Sequence, residues 1–232
     1  MRSSAPAAGS VSLSAPKGPF KRRRPPELEK TNETPDPYNL IITGVGGQGN
    51  VLASKVLANI LVNRGLHVTI GETFGASQRG GSVMSHLRIS QNRAWSPLIP
   101  AGRGHLIIGL EPIESLRVLA PYGNPGIMVI ANARPVQPIG VICGDQEYPA
   151  MDRIETWLKK FSRRYWLLPA TEEAMKLGSP ILANIILIGA LAGTGEVSME
   201  RREFAETIAA IMPENKLDIN LKAFDLGREM VT

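Results

Sequence analysis

The sequence predicts a three-layer α/β/α sandwich built on a mostly parallel, Rossmann-like sheet. Three observations predict it: short apolar runs that alternate with amphipathic segments, a glycine-rich turn after the first run, and a largely aliphatic composition with only 5% aromatic residues. Short apolar runs are typical of strands buried on both faces, and strands that alternate with helices build this layered class.

The 232 residues are predicted to divide into a tail and one domain. Residues 1–37 hold seven prolines and seven basic residues against four acidic ones, without apolar periodicity, so we predict a disordered, basic, proline-rich tail. Residues 38–232 are predicted to form a single α/β domain. The basic run Lys21–Arg24 is interpreted as solvated rather than as a nucleic-acid contact.

The elements follow in order along the domain. Apolar runs predict strands at 39–43, 67–71, 83–89, 106–110 and 126–132. Helical spacing predicts helices from Val51 to Leu61, after Glu111, and at 151–161, 179–193, 201–212 and 221–230. Segment 134–148 is predicted to be irregular with short strands. The first strand, helix and second strand are predicted to form a parallel pair with a right-handed crossover.

Composition limits the chemistry of this chain. One cysteine, Cys143, and three widely separated histidines exclude a disulfide, an iron–sulfur cluster and a structural zinc site within it. We therefore predict no metal site. No apolar run approaches about 18 residues, so no membrane span is expected. A lone thiol suits the cytoplasm, which is the predicted location.

The first candidate binding element is the glycine turn, Gly44–Gly49. Its candidate residues are Gly44, Gly46, Gly47, Gln48 and Gly49. The spacing fits the dinucleotide fingerprint, in which backbone N–H groups approach a phosphate at a helix N-terminus. Glu72, at the end of the second strand, has the position of a ribose ligand. The alternative is a tight turn that binds nothing or lies at a subunit interface, because Gln48 is bulky for a dinucleotide site.

The second candidate element is the glycine–serine loop, Ser77–Ser82, which is the most specific feature of the sequence. Its candidate residues are Ser77, Gln78, Arg79, Gly80, Gly81 and Ser82. Adjacent glycines permit close backbone approach, and the Arg79 guanidinium is suited to a carboxylate or a phosphate. This concentration of donors favours a binding or interface role over a purely structural loop.

Three further features of the sequence each allow two interpretations. His86 is interpreted as a hydrogen-bonded core residue rather than a proton carrier, and Glu111 equally as a ligand at a strand end or as a helix-start carboxylate. Trp157, Tyr165 and Trp166 near two arginines are interpreted as ordinary helix and edge-strand residues. No nucleic-acid partner is predicted, and no catalytic residue is identified.

Several segments together resemble a known family. GVGGQGN at 44–50, GETFGASQRGGSVMSHLRI at 71–89, WSPLIP at 95–100 and LIIGLEPIESLR at 106–117 resemble gamma-type subunits of 2-oxoacid:ferredoxin oxidoreductases. The segment SPLIP at 96–100, followed by GLEPIESLR at 109–117, is most similar to the small subunit of the indolepyruvate type. The resemblance covers residues 39–232, and the tail has no counterpart in it.

The resemblance implies a subunit that is inactive alone. A large partner subunit is expected to carry thiamine diphosphate and [4Fe–4S] clusters, to decarboxylate a 2-oxoacid and to pass electrons to ferredoxin, while the acyl group leaves on coenzyme A. This chain is expected to help enclose the active site or the path of coenzyme A. Two alternatives remain open: a stand-alone NAD- or FAD-dependent oxidoreductase, and a non-catalytic nucleotide-binding regulatory protein.

Overall fold

One six-stranded mixed sheet forms the centre of the molecule. The structure is a computed structural model that describes residues 35–75, 81–137, 139–144 and 147–232. Most of the predicted tail therefore lies outside the described residues, and its predicted disorder stays a prediction. The spatial strand order is β2-β3-β1-β4-β5-β6. The strands are β1 (Tyr38–Val45), β2 (His67–Phe74), β3 (Ser82–Ser90), β4 (Leu106–Gly109), β5 (Met128–Asn132) and β6 (Arg164–Leu168).

Helices cover both faces of this sheet. They are α1 (Asn50–Asn63), α2 (Pro112–Tyr122), α3 (Ile139–Ile142), α4 (Met151–Phe161), α5 (Ala170–Lys176), α6 (Ala183–Thr194), α7 (Arg201–Ile211) and α8 (Leu217–Glu229). One face packs on α1 and α5–α8, and the other packs on α2 and α4. Alternate residues of β1 enter the two cores, Leu40 and Ile42 on one face and Ile41 on the other. The predicted three-layer architecture is confirmed.

Strand β3 changes the predicted topology. It is antiparallel to both β1 and β2 and lies between them, whereas β1, β4, β5 and β6 are parallel. The prediction that the first two strands form a parallel pair was therefore wrong. Apolar runs identify strands but do not specify their neighbours, because pairing depends on non-local contacts.

Two local predictions also need correction. The segment predicted to be irregular with short strands contains α3 and no strand among its described residues. Helix α5 was not predicted, because its seven residues bury only the small side chains of Ala170 and Ala174. No helix in the described part of the chain is long and apolar enough to cross a membrane.

Helices α6 and α8 cross at backbone contact. A Cβ added at Gly227 would lie 1.9 Å from the Ile186 carbonyl oxygen, and one added at Gly189 would lie 2.1 Å from the Phe224 carbonyl oxygen. Only glycine leaves room for such an approach. The stacked rings of Phe204 and Phe224, with centroids 4.2 Å apart, pack in the same core.

His86 is a core residue of β3, in agreement with its interpretation as a hydrogen-bonded core residue. Its ring is fully buried, its Nδ1 accepts a 3.5 Å hydrogen bond from the Ile99 N–H, and its edge packs on Tyr122. Its Nε2 has no hydrogen-bond partner among the described residues. Burial lowers the pKa of His86 from 6.5 to about 4, so the folded protein holds it neutral.

A pH dependence of stability follows from this buried imidazole. The unfolded chain protonates His86 near pH 6.5 and the folded one only near pH 4, so stability falls as pH decreases between those values. The loss attributable to His86 is roughly 3 kcal/mol. His86→Asn keeps an acceptor for the Ile99 N–H but cannot ionise. Urea denaturation between pH 7 and 4 is expected to show a shallower acid loss for this variant. An equally steep loss would contradict the prediction.

Candidate functional site

The carboxyl edge of the sheet is where β1, β2, β4, β5 and β6 end and β3 begins. From this edge the chain leaves β1 toward α1 on one face and leaves β4 toward α2 on the other. The crevice between β1 and β4 is therefore the topological switch point of the sheet. Ligands of open α/β sheets bind at this place, so the site is built here.

The side chain of Gln48 fills this crevice. Its Oε1 accepts a 2.8 Å hydrogen bond from the Val45 N–H, and its Nε2 donates a 3.0 Å bond to the Leu110 carbonyl. A Cβ at Gly44 would lie 2.6 Å from Gln48 Oε1, so glycine at 44 makes room for the amide. Gln48 thus bridges the ends of β1 and β4, and its polar atoms are used inside the protein.

Two N–H groups of the glycine turn are also bonded inside the protein. The Gly46 N–H donates to the Gly81 carbonyl (2.9 Å), and the Gln48 N–H donates to the Val45 carbonyl (3.3 Å). Gly49 has φ +85°, and a Cβ there would lie 2.2 Å from Asn184 Nδ2 of α6. Open space surrounds the tip, Gly47. The N–H groups of Gly46 and Gln48 are therefore not available to a pyrophosphate.

Glu72 does not complete a dinucleotide site either. In the register of the sheet it lies opposite Ser85 of β3, which in turn lies opposite Ile42 of β1. Two strand spacings, about 10 Å, separate it from β1. A Rossmann-type ribose ligand lies on the strand next to the glycine turn, so the insertion of β3 removes Glu72 from that role. This geometry argues against a stand-alone NAD or FAD enzyme.

The glycine–serine loop meets the glycine turn at this edge. The N–H of Gly75, which precedes the loop, donates to the carbonyl of Ser82 at the end of the loop (2.7 Å). The Gly46 N–H of the glycine turn donates to the Gly81 carbonyl. Residues 76–80 lie outside the described part of the chain, so the predicted roles of Ser77, Gln78, Arg79 and Gly80 remain predictions. The structure does bring the described end of this loop and the glycine turn into contact.

Two buried carboxylates form the first turn of α2. Glu111 caps the helix: its Oε2 accepts from the Glu114 N–H (2.8 Å), and its Oε1 accepts from the Tyr148 hydroxyl (2.5 Å) and the Val136 N–H (3.3 Å). It is 1% exposed, and burial raises the pKa of its carboxyl. Of the two readings of Glu111, the structure supports the helix-start carboxylate.

Glu114 is the second of these carboxylates and is 4% exposed. Its Oε2 accepts from the Ser82 hydroxyl (2.5 Å), and its Oε1 accepts from Arg117 Nη1 (2.8 Å). Sequence reasoning did not identify Glu114 or Tyr148. The available signal was two glutamates three residues apart at a helix start, which also occurs in ordinary helices.

Exposed apolar side chains surround the same edge. Phe74 ends β2, Ile181 lies beside Gly49, and Val136 and Ile142 belong to the connection from β5 to α4. Their exposed fractions are 63%, 42%, 37% and 69%. Contiguous exposed apolar patches are typical of interaction surfaces.

The described residues contain no cluster of potential metal ligands, and two of their tryptophans make local contacts with arginines. No group of three His, Cys, Asp or Glu side chains in that part of the chain is placed to hold a metal ion. Trp157 pairs with Arg153 on α4, and Trp166 pairs with Arg164 on β6. These are local cation–π contacts of a helix and an edge strand, as the sequence suggested.

Comparison with known proteins adds to this geometry. The family model described as pyruvate ferredoxin/flavodoxin oxidoreductase matches residues 39–230. Indolepyruvate oxidoreductase subunit IorB of Archaeoglobus fulgidus is 39% identical over 82% of this chain and 92% of its own. The subunit of the same name from Pyrococcus horikoshii is 36% identical over 82% and 94%.

The fold also has a counterpart among solved structures. The 2-oxoglutarate:ferredoxin oxidoreductase from Magnetococcus marinus, with 2-oxoglutarate, coenzyme A and succinyl-CoA bound, matches 85% of this chain and 31% of its own with a TM-score of 0.66. At 18% identity, the match shows a shared fold. In that protein the fold is about a third of a longer chain.

Proposed function

The chain belongs to the pyruvate ferredoxin/flavodoxin oxidoreductase family as the small subunit of a 2-oxoacid oxidoreductase, and we propose that its complex oxidises indolepyruvate or a related aryl-pyruvate. The observation that carries the substrate class is the 36–39% identity to two indolepyruvate oxidoreductase subunits over nearly their whole length. The products are an acyl-coenzyme A, carbon dioxide and electrons passed to ferredoxin.

In this proposal a large subunit carries the thiamine diphosphate and the [4Fe–4S] clusters. The cofactor supplies the decarboxylation chemistry, and the clusters supply one-electron transfer. The described residues of this chain do not fit an iron–sulfur cluster, because Cys143 is its lone, exposed cysteine and no metal-binding cluster is present among them. A lone exposed thiol agrees with action in the reducing cytoplasm.

The carboxyl edge is proposed to face that large subunit. Phe74, Val136, Ile142 and Ile181 are apolar and exposed there, which is costly in water but favourable when a partner covers them. The glycine turn contributes backbone at its open tip, Gly47. Coenzyme A is proposed to reach the active site along this edge, in contact with the glycine–serine loop. The internal bonds of Gly44, Gln48 and Gly49 suit them to holding the edge in shape.

Coproduction with the large subunit tests the assignment. We expect the small subunit to copurify with a brown, thiamine-dependent partner, and the complex to reduce ferredoxin with indolepyruvate faster than with pyruvate or 2-oxoglutarate. A complex that prefers 2-oxoglutarate would overturn the substrate class. A small subunit that binds NAD or FAD tightly by itself would overturn the subunit assignment.

Arg79→Ala tests the proposed contact of the glycine–serine loop. Loss of one charge-assisted, bidentate contact costs about 1.5–3 kcal/mol. The apparent Michaelis constant for coenzyme A, or the dissociation constant for the large subunit, is expected to rise roughly tenfold to a hundredfold. The measurement is steady-state activity of the complex against coenzyme A concentration, with a pull-down of the large subunit. Arg93→Ala, which removes an arginine stacked on Trp95 at 4.2 Å, is the matched control. Unchanged constants for Arg79→Ala would leave the loop a structural turn.

A further inference from the structure

We propose that Glu114 is a positioning residue for coenzyme A, acting through Ser82 and Arg117. This role rests on the proposed contact between coenzyme A and the carboxyl edge. Glu114 is the buried group that holds two residues of that edge, Ser82 and Arg117, in place. The Glu114 side chain is buried, so its effect passes through the two residues that it binds.

The first argument is the cost of the carboxylate pair. Glu111 and Glu114 are 1% and 4% exposed and lie three residues apart on one turn. Burial of two like charges is unfavourable unless hydrogen bonds offset it. The α2 N-terminus favours negative charge, but one carboxylate already caps it. Glu111 alone thus completes the helix start, and the second buried acid needs another explanation.

The second argument is what Glu114 binds. Its two oxygens divide between the Ser82 hydroxyl (2.5 Å) and the Arg117 guanidinium (2.8 Å). The backbone of Ser82 is already fixed by pairing with β1 and by the Gly75 N–H (2.7 Å). The bond from Ser82 to Glu114 therefore adds little to the sheet. It sets the orientation of a hydroxyl at the end of the glycine–serine loop.

The third argument is the cavity between these groups. Ser82 and Arg117 both line a cavity of about 270 Å³, whose other walls include Phe74, Met84 and Tyr122. The Arg117 side chain is 58% exposed, although its guanidinium is bonded to a buried acid. An arginine held by one edge keeps its other N–H groups available to an anion. The cavity thus combines an apolar floor with one oriented cation and one oriented hydroxyl.

Coenzyme A has the matching chemistry, because its apolar thiol arm is flanked by amides and phosphates. In this arrangement Arg117 meets an anionic or carbonyl oxygen, Ser82 meets an amide, and Glu114 holds both donors. Removal of Glu114 frees the two side chains to rotate. Affinity then falls, while the chemistry on the large subunit is unaffected. A raised Michaelis constant with an unchanged turnover number is the signature of lost uniform binding.

The test uses the assembled complex with Glu114→Ala, Glu114→Gln and Ser82→Ala. Glu114→Ala is expected to raise the Michaelis constant for coenzyme A about tenfold and to change turnover less than twofold. Glu114→Gln keeps one acceptor oxygen and is expected to recover part of the affinity. The double variant with Ser82→Ala is expected to lose less affinity than the sum of the two single losses, because both changes break the same bond. Calorimetric titration of the complex with coenzyme A, without 2-oxoacid, gives the same comparison independently of turnover.

Glu155→Ala, which removes an exposed acid of α4 bonded to the Tyr165 hydroxyl, is the control and should behave as wild type. Thermal denaturation identifies variants that fail to fold. If Glu114→Ala unfolds, Ser82→Ala and Glu114→Gln decide the question. Folded variants that bind coenzyme A as wild type does, while Arg79→Ala binds it weakly, overturn this inference and leave the proposed function standing. If no variant including Arg79→Ala alters coenzyme A binding, the proposed contact itself is wrong.

Discussion

The double substitution of Phe74 and Ile181 by aspartate is expected to prevent assembly with the large subunit while the small subunit stays folded. Both side chains are more than 40% exposed in the isolated chain, so they contribute little to its own core. In the complex the introduced carboxylates would lie against an apolar partner surface without counter-charges. Desolvation of an unpaired charge costs several kcal/mol, which corresponds to a loss of at least a hundredfold in affinity.

Coexpression with a tagged large subunit, followed by pull-down and sedimentation velocity, measures this effect. Phe161→Asp is the matched control, because Phe161 is 53% exposed but ends α4 just before β6 begins, at the opposite edge of the sheet. We expect the control to assemble normally and the double variant to sediment as a free small subunit. Normal assembly of the double variant would show that the partner binds elsewhere on the chain.

Gly227→Ala is expected to lower the free energy of unfolding by about 3 kcal/mol. In a helix interior alanine is intrinsically favoured over glycine by about 1 kcal/mol, so propensity alone predicts the opposite sign. The added Cβ would lie 1.9 Å from the Ile186 carbonyl oxygen and 2.8 Å from the Ala190 nitrogen. Helices α6 and α8 must separate to admit it, and that separation opens the core around Phe224.

Urea denaturation of the full chain followed by circular dichroism measures this change. Gly126→Ala is the control: Gly126 is exposed, and a Cβ there would come no closer than 3.3 Å to another group, the Asn124 side-chain oxygen. Its stability is expected to stay within about 0.5 kcal/mol of wild type. A Gly227→Ala variant as stable as wild type would mean that the two helices adjust freely at their crossing.

Local patterns identified most of the elements. The apolar runs of β1, β4 and β5 and the 3.6-residue period of α1 and α7 depend on which faces are buried, and burial is recorded directly in residue type. Two short helices were not predicted: α5 buries only two alanines, and α3 has four residues. In such segments the hydrophobic pattern is too brief to distinguish a helix from a loop.

The candidate site was identified only in part from the sequence. The glycine turn and the glycine–serine loop stand out because clustered glycines and polar donors are unusual in a core-forming segment. Glu114 does not stand out, because one glutamate in a helix gives no indication that it will be buried beside Ser82, 32 residues earlier in the chain. Contacts of that kind exist only after the strands and helices have packed together.

The sequence by itself determined the fold class, the family and the absence of any cysteine set able to hold a cluster. These follow from composition, periodicity and ordered motifs, which are local or additive. The tertiary structure alone decided that β3 separates β1 from β2, that Gln48 closes the crevice a dinucleotide would need, and that Glu111 and Glu114 are buried side by side. The physical reason is that strand order, cavity filling and desolvation depend on residues distant in sequence, and no local pattern records them.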